Sequence, residues 1–125
     1  MKKIVVLDGI TLGNVDFDKL KEFGELVYFD KTNPDEVADR VKDAAIVLTN
    51  KVVLNRENLK DANKSELICE MATGFNNIDI EYAKERNIAV TNVAGYSTNA
   101  VVQHTFAATL ALLDEITYYD NYVKD

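Results

Sequence analysis

Five short apolar runs, each separated from the next by a stretch with helical spacing, constrain this chain more than any other feature. The runs are Ile4-Val5-Val6-Leu7, Leu26-Val27-Tyr28-Phe29, Ala44-Ala45-Ile46-Val47-Leu48, Leu67-Ile68-Cys69 and Ile88-Ala89-Val90, the fourth open to extension through Glu70-Met71. Continuous apolar runs of this length suit strands buried on both faces. Between them, Phe17, Leu20 and Phe23 recur at helical spacing before Gly24. Asn33, Pro34 and Glu36 make a helix start, with a capping side chain, a first helical residue that needs no donor and a residue that reaches back. Val37, Ala38 and Val41 supply the apolar stripe behind it. Asn55 is placed to cap a short helix near 57–60, and Asp79 to cap one carrying Ile80, Tyr82 and Ala83. Strands alternating with crossover helices have one dominant packing solution, a mostly parallel three-layer α/β sandwich.

The last segment differs. Residues 98–119 contain no Gly or Pro and predict one long helix, about 33 Å from end to end. Phe106, Leu110, Leu113 and Ile116 form one apolar line. Val102, Ala107, Ala111, Leu112 and Tyr119 widen it to much of the circumference. A helix with so little polar face needs cover on more than one side. The expected cover is another domain or a second subunit, in a homodimer joined through the 98–119 helix. The plain alternative is a terminal helix lying across its own sheet. The tail beyond Tyr118 carries no clear helix stop, so the chain reads as a cut within a longer polypeptide.

Composition narrows the function classes. With 125 residues and 47% hydrophobic side chains, the chain can build one sizeable core. Its 21 acidic against 14 basic residues give a net charge of -7, which disfavours nucleic acid and anionic membranes as partners. No uncharged stretch is long and apolar enough to span a bilayer, and no secretory leader pattern opens the chain, so a cytoplasmic protein is expected. A single cysteine, Cys69, excludes an internal disulfide and reads as a strand-core thiol. A single histidine, His104, excludes a multi-histidine metal centre, so no metal site is expected. His104 reads as a packed or hydrogen-bonded interface residue. No glycine-rich dinucleotide fingerprint, phosphate-cradling loop or nucleophile elbow occurs anywhere in the chain.

Loops after parallel strands converge at one sheet edge, where ligands of such folds bind. Two loops qualify: Thr49-Asn50-Lys51-Val52 after the third strand and Ala72-Thr73-Gly74-Phe75-Asn76-Asn77 after the fourth. Gly74 permits close backbone approach, so the Thr73 and Gly74 N–H groups could hold an anion such as a carboxylate. An ordinary turn is the alternative. Lys51 would add positive charge or stand solvated. Asp8 could sit at the same edge, or bond to nearby backbone. No acidic cluster of the phosphotransfer-receiver kind is present.

The stretches Ala72-Thr73-Gly74-Phe75-Asn76-Asn77-Ile78-Asp79 and Asn92-Val93-Ala94-Gly95-Tyr96-Ser97-Thr98-Asn99-Ala100-Val101-Val102-Gln103-His104-Thr105-Phe106 resemble the NAD-dependent D-isomer-specific 2-hydroxyacid dehydrogenases. The glycerate dehydrogenase/hydroxypyruvate reductase and D-lactate dehydrogenase-like members are nearest. The resemblance implies a flavodoxin-like substrate domain over 1–97. It makes 98–125 a long interdomain helix, cut before a Rossmann cofactor domain. It assigns Thr73 and Gly74 to the loop whose backbone holds the substrate carboxylate. Asn50, Lys51 and Val52 match the loop on the substrate's other side, and Tyr96 matches a position near the cleft. Thr98 and Val102 match the nicotinamide end, a peripheral contact that needs the absent domain. The family's catalytic Arg, Glu and His lie later in the family's sequences, so no catalytic residue is expected in this chain and His104 is not one. The implied parent transfers hydride between NAD(H) and a small 2-hydroxy or 2-oxo acid. The chain alone is expected to bind no cofactor and to be inactive. Two other readings stand beside this one: a flavodoxin-like binding or regulatory module without chemistry, and a self-associating structural domain. Gene length separates the module from the cut enzyme, and size against concentration tests self-association.

Overall fold

The computed structural model describes residues 1–124. Five strands, β1 (Lys3–Val6), β2 (Glu25–Tyr28), β3 (Ile46–Thr49), β4 (Leu67–Glu70) and β5 (Ala89–Thr91), form one sheet in the order β2-β1-β3-β4-β5. Every neighbouring pair is parallel, with Val5 opposite both Val27 and Val47, and Val47 opposite Ile68. The three-layer, five-strand sandwich anticipated from periodicity is thus the architecture found.

Handedness explains how the layers fill. Crossovers between parallel strands are right-handed, so the direction of each step decides which face its connection covers. The step from β1 to β2 runs opposite to the steps from β2 to β3, β3 to β4 and β4 to β5. The latter three carry the helices α1 (Val37–Val41), α2 (Arg56–Leu59) and α3 (Ile80–Glu85). Val37, Val41, Leu59, Tyr82 and Ala83 from these helices meet Val5, Leu7, Val47 and Ile68 from the sheet in one core. The opposite step supplies only two short 3-10 segments, Gly9–Leu12 and Asp18–Glu22, and the second lies nearest this face's core. Phe17 and Leu20 there pack with Ile4, Val6 and Leu48, while Leu26, Ile46, Cys69 and Met71 remain half-buried. The helix expected around Phe17 to Phe23 is therefore a 3-10 turn, and Phe23 is exposed. Cys69 belongs to this thinner second layer rather than to the sealed core.

The caps read from sequence form. The Glu36 carboxylate accepts from the Asn33 N–H at 2.8 Å. Asn55 Oδ1 accepts from the Glu57 and Asn58 N–H groups at 3.0 and 3.2 Å, and Asp79 Oδ1 from the Tyr82 N–H at 2.9 Å. Such caps contribute about 1 kcal/mol each. They matter here because the helices they start are short.

Residues from Gly95 onward form a separate compact unit from Met1–Ala94. It contains α4 (Thr98–Leu113) and α5 (Ile116–Lys124). The single helix expected over 98–119 is therefore two. Asp114 still donates to the Leu110 carbonyl at 2.9 Å, but Glu115 takes a left-handed φ of 49° and ends the ladder. The break needs no Gly or Pro, because Asp114 and the β-branched Ile116 and Thr117 lower helix propensity together. No side chain of α4 or α5 is buried, and Phe106, Leu112 and Leu113 are largely exposed. Asp125, the last residue of the expected 98–125 segment, lies outside the described residues. No described helix is long and apolar enough to cross a membrane.

Gly24 shows how closely β1 and β2 start. A Cβ there would overlap the Lys2 carbonyl oxygen, which already accepts from the Glu25 N–H at 2.9 Å. We expect Gly24→Ala to destabilise the fold by about 1–3 kcal/mol through overpacking at this junction. Urea unfolding measures it, and an unchanged midpoint would contradict the close approach.

Candidate functional site at the carboxyl edge of the sheet

Five parallel strands place all their C-terminal loops on one edge. The chain leaves β1 in one direction for β2 and returns past it to β3, so the sheet has its switch point between β1 and β3. Asp8 sits there, buried, just beyond β1. Its carboxylate accepts from the Asn50 N–H at 2.9 and 3.2 Å and from the Lys51 N–H at 2.6 Å. Asn50 Nδ2 donates to Thr11 Oγ1 at 2.9 Å, and that hydroxyl donates to the Asp8 carbonyl at 2.7 Å. Asp8 is therefore a bracket for the loop after β3, the backbone-bonding role its position allowed. The same bonds commit the Asn50 amide internally. Lys51 is exposed, and Val52 is half-buried against the main core.

On this side of the edge lies a cleft of about 750 Å³, lined by Asp8, Thr11, Thr32, Lys51, Val52 and Asn55 among others. Thr73 and Gly74 do not line it. They lie in the loop after β4. The Thr73 hydroxyl donates to the Val93 carbonyl at 3.3 Å, Asn92 Nδ2 donates to the Thr73 carbonyl at 2.8 Å, and the Val93 N–H donates to the Ala72 carbonyl at 3.0 Å. The loop is thus tied through its carbonyls and a hydroxyl. Among the described residues, no intramolecular hydrogen bond uses the N–H of Thr73 or Gly74. Both residues are exposed, and a Cβ built on Gly74 would meet nothing within 4 Å. Gly74 keeps a φ open to any residue, so no strained turn requires glycine there.

The remaining sequence-predicted positions fall in the second unit. Tyr96 is exposed in the turn before α4, beside Gly95 with its φ of 75°. Thr98 opens α4, and Val102 follows one turn later, exposed. His104 is exposed on the same helix. Among the described residues no three His, Cys, Asp or Glu side chains are grouped to hold a metal ion.

Glu70 and Asn77 are legible as the end of the fourth strand and the end of the following loop, but their pairing is not. Glu70 ends β4, is 2% exposed, and accepts from Asn77 Nδ2 at 2.9 Å through one oxygen while the other has no partner. Burial pushes its carboxyl above the usual range. The Asn77 hydrogen bond opposes this, the Asp8 charge adds to it, and Lys51 opposes it. The available signal was an acidic residue continuing an apolar strand run, a rare thing in a buried parallel strand.

An all-parallel sheet with its switch point between β1 and β3 defines a doubly wound α/β domain. Comparison with known proteins makes this specific. The family model described as D-isomer specific 2-hydroxyacid dehydrogenase, catalytic domain, matches residues 4–118. The chain belongs to the D-isomer specific 2-hydroxyacid dehydrogenase family. It is 35% identical, over 128 aligned positions, to a hydroxypyruvate reductase of Blautia hydrogenotrophica, with 98% of this chain and 40% of that protein covered. It is 33% identical to a glycerate dehydrogenase of Methylorubrum extorquens, covering 98% of this chain and 39% of that protein. The chain therefore spans about two fifths of the length of the curated relatives it matches. The fold agrees with that of a D-lactate dehydrogenase from Aquifex aeolicus, solved with NAD and lactic acid, at a TM-score of 0.76 and 24% identity. The match covers 98% of this chain and 37% of that one.

Glu70 gives a pH signature. Its raised carboxyl binds a proton more tightly in the native state than in the unfolded chain, where Glu titrates near about 4.3. Native stability from this group is fully present below that value and is lost as pH rises through the raised native value. Glu36 and Asp43 are shifted down and act in the opposite sense, but they are common to both proteins in a comparison of wild type with Glu70→Gln. Urea midpoints should show wild type losing ground to E70Q as pH rises from about 4 to about 7. A difference independent of pH, or one favouring wild type at higher pH, would contradict the burial.

Proposed function

We propose that this chain is the substrate-binding part of an NAD-dependent D-2-hydroxyacid dehydrogenase, whose whole length transfers hydride between NAD(H) and a small 2-hydroxy or 2-oxo acid. The observation that carries this reading is the run of exposed N–H groups from Thr73 to Asn76, without internal partners among the described residues, with Thr73 and Gly74 on peptide planes held by Val93 and Asn92. In this reading they receive the substrate carboxylate, with Lys51 and Val52 bordering its other side. Asn50 shapes that border from within, since its amide serves Thr11. Two fixed amide donors orient a planar carboxylate without a cation, and such positioning is what a hydride transfer requires of the protein.

The cofactor belongs, in this proposal, to the rest of the longer polypeptide. The residues here do not fit a dinucleotide. Gly9, the glycine after β1, faces the Tyr28 ring, and a Cβ there would overlap it. That glycine serves packing, not phosphate approach, and no glycine-rich turn follows any strand. Tyr96, Thr98 and Val102 are proposed to meet the nicotinamide end once the cofactor domain is in place. The catalytic Arg, Glu and His are assigned to that remaining length, so the chain alone is inactive. We take 1–97 as the substrate domain and 98–125 as the passage out of it. The exposed apolar side chains of α4, Phe106 and Leu110 among them, support association through the 98–119 segment in a homodimer. The proposed setting is the cytoplasm, where the single cysteine stays reduced.

Gly74→Val tests the reading. Nothing inside the protein obstructs the new side chain, so the fold should tolerate it. In the longer polypeptide, we expect KM for glyoxylate or hydroxypyruvate to rise by about tenfold or more while the unfolding midpoint stays within about 0.5 kcal/mol of wild type. Unaltered steady-state kinetics would refute the assignment of these donors.

A further inference from the structure

Glu70 is expensive where it stands. It ends a strand whose neighbours Ile68 and Cys69 are apolar, and one of its carboxyl oxygens is sealed from solvent with no hydrogen-bond partner. A buried polar atom left unsatisfied destabilises a fold, and an apolar side chain of similar size would avoid that. Stability therefore does not account for an acid at this position. Because the free oxygen has no access to solvent, Glu70 does not touch a ligand directly either.

The bonded oxygen supplies the reason. Glu70 is the last residue of β4 and Asn77 the first after the 71–76 loop, so the 2.9 Å bond from Asn77 Nδ2 to Glu70 Oε2 closes that loop at its base. The same nitrogen donates to the Val52 carbonyl at 3.1 Å. Asn77 thereby joins three pieces: the end of β4, the start of the next crossover and the loop after β3. The main chain repeats the connection, since the Leu54 N–H donates to the Asn77 carbonyl and the Asp79 N–H to the Leu54 carbonyl, both at 2.8 Å. Thr73 and Gly74 ride on this closed loop. Their peptide planes are held by the Val93 N–H and Asn92 Nδ2 bonds to the Ala72 and Thr73 carbonyls, and the base of the loop sets where those planes sit along the sheet edge.

We propose that Glu70 is a positioning residue: through the Asn77 amide it fixes the base of the 71–76 loop and so aims the Thr73 and Gly74 N–H groups at a carboxylate. The proposal rests on the carboxylate reading of those donors given above. It adds a residue that holds the donors and never meets the acid, and it explains why an acid is kept in a strand that would be more stable without it.

The test uses the chain itself as wild type, Glu70→Gln and Glu70→Leu, with pyruvate as the probe. Gln keeps an oxygen for Asn77, whereas Leu keeps only the volume. Backbone NMR reads the order of the Thr73 and Gly74 amides and their shifts as pyruvate is added, and thermal unfolding reads the global fold. We expect E70L to unfold at or above the wild-type temperature, to lose order at Thr73 and Gly74, and to bind pyruvate about three- to tenfold more weakly, the worth of one net hydrogen bond. E70Q should hold wild-type order and affinity. An E70L chain that matches wild type in both loop order and affinity overturns the proposal, as does an E70Q chain as impaired as E70L. If E70L fails to fold, Asn77→Ala removes the donor of the same bond and should show the same local loss. Pyruvate that leaves the wild-type Thr73 and Gly74 amides unmoved overturns the carboxylate reading and the proposal built on it. Pyruvate that moves those amides equally in wild type and E70L overturns the proposal alone.

Discussion

A parallel strand cannot be joined to its neighbour by a tight turn, and that constraint governs this domain. Each connection must travel back along the sheet before the next strand can begin. The travelling segments become the covering layers, and the loops that launch them all emerge at one edge. Because β1 feeds β2 on one side and the chain then passes β1 to reach β3, two of those loops are forced apart at the switch point. A buried carboxylate, Asp8, occupies the gap and is satisfied by the Asn50 and Lys51 amides. Hydrogen bonds to a charged group are worth about 1.5–3 kcal/mol each, enough to hold a loop in register.

The second acid of the edge behaves differently. Asp8 is surrounded by donors, whereas Glu70 has one donor and a bare oxygen. The Asp8 charge adds to the burial that raises the Glu70 carboxyl. A domain selected only for stability would keep the first and replace the second. The loop between Glu70 and Asn77 has backbone donors that remain unused, as Lys31, Thr32 and Val53 do in the other edge loops, and the unfavourable acid sits at its base. Instability concentrated beside unsatisfied donors is the pattern of a binding site carried on a scaffold that is otherwise well packed.

Much of this was legible from residues alone, for physical reasons that differ by element. The strands declared themselves because a buried parallel strand must be apolar on both faces, as β1 is with Val5 in one core and Ile4 and Val6 in the other. The caps at Asn33, Asn55 and Asp79 declared themselves because unpaired N–H groups at a helix start demand an acceptor. The segment around Phe17 and Leu20 was misjudged in type, since apolar spacing cannot distinguish one helical turn from a 3-10 turn. The break at Glu115 was invisible because no Gly or Pro marks it. The position of the loop after β4 is legible from the strand pattern, but what steadies it is not. Glu70 and Asn77 lie seven residues apart, and only the folded loop brings them to hydrogen-bonding distance.

The proposal to be tested is that the Thr73 and Gly74 amides receive a substrate carboxylate. The most direct measurement is a crystal structure of the chain soaked with glyoxylate. The account predicts carboxylate oxygens about 2.7–3.2 Å from both amide nitrogens. An acid seated in the Asp8–Thr32 cleft, with those two amides bare, would contradict it.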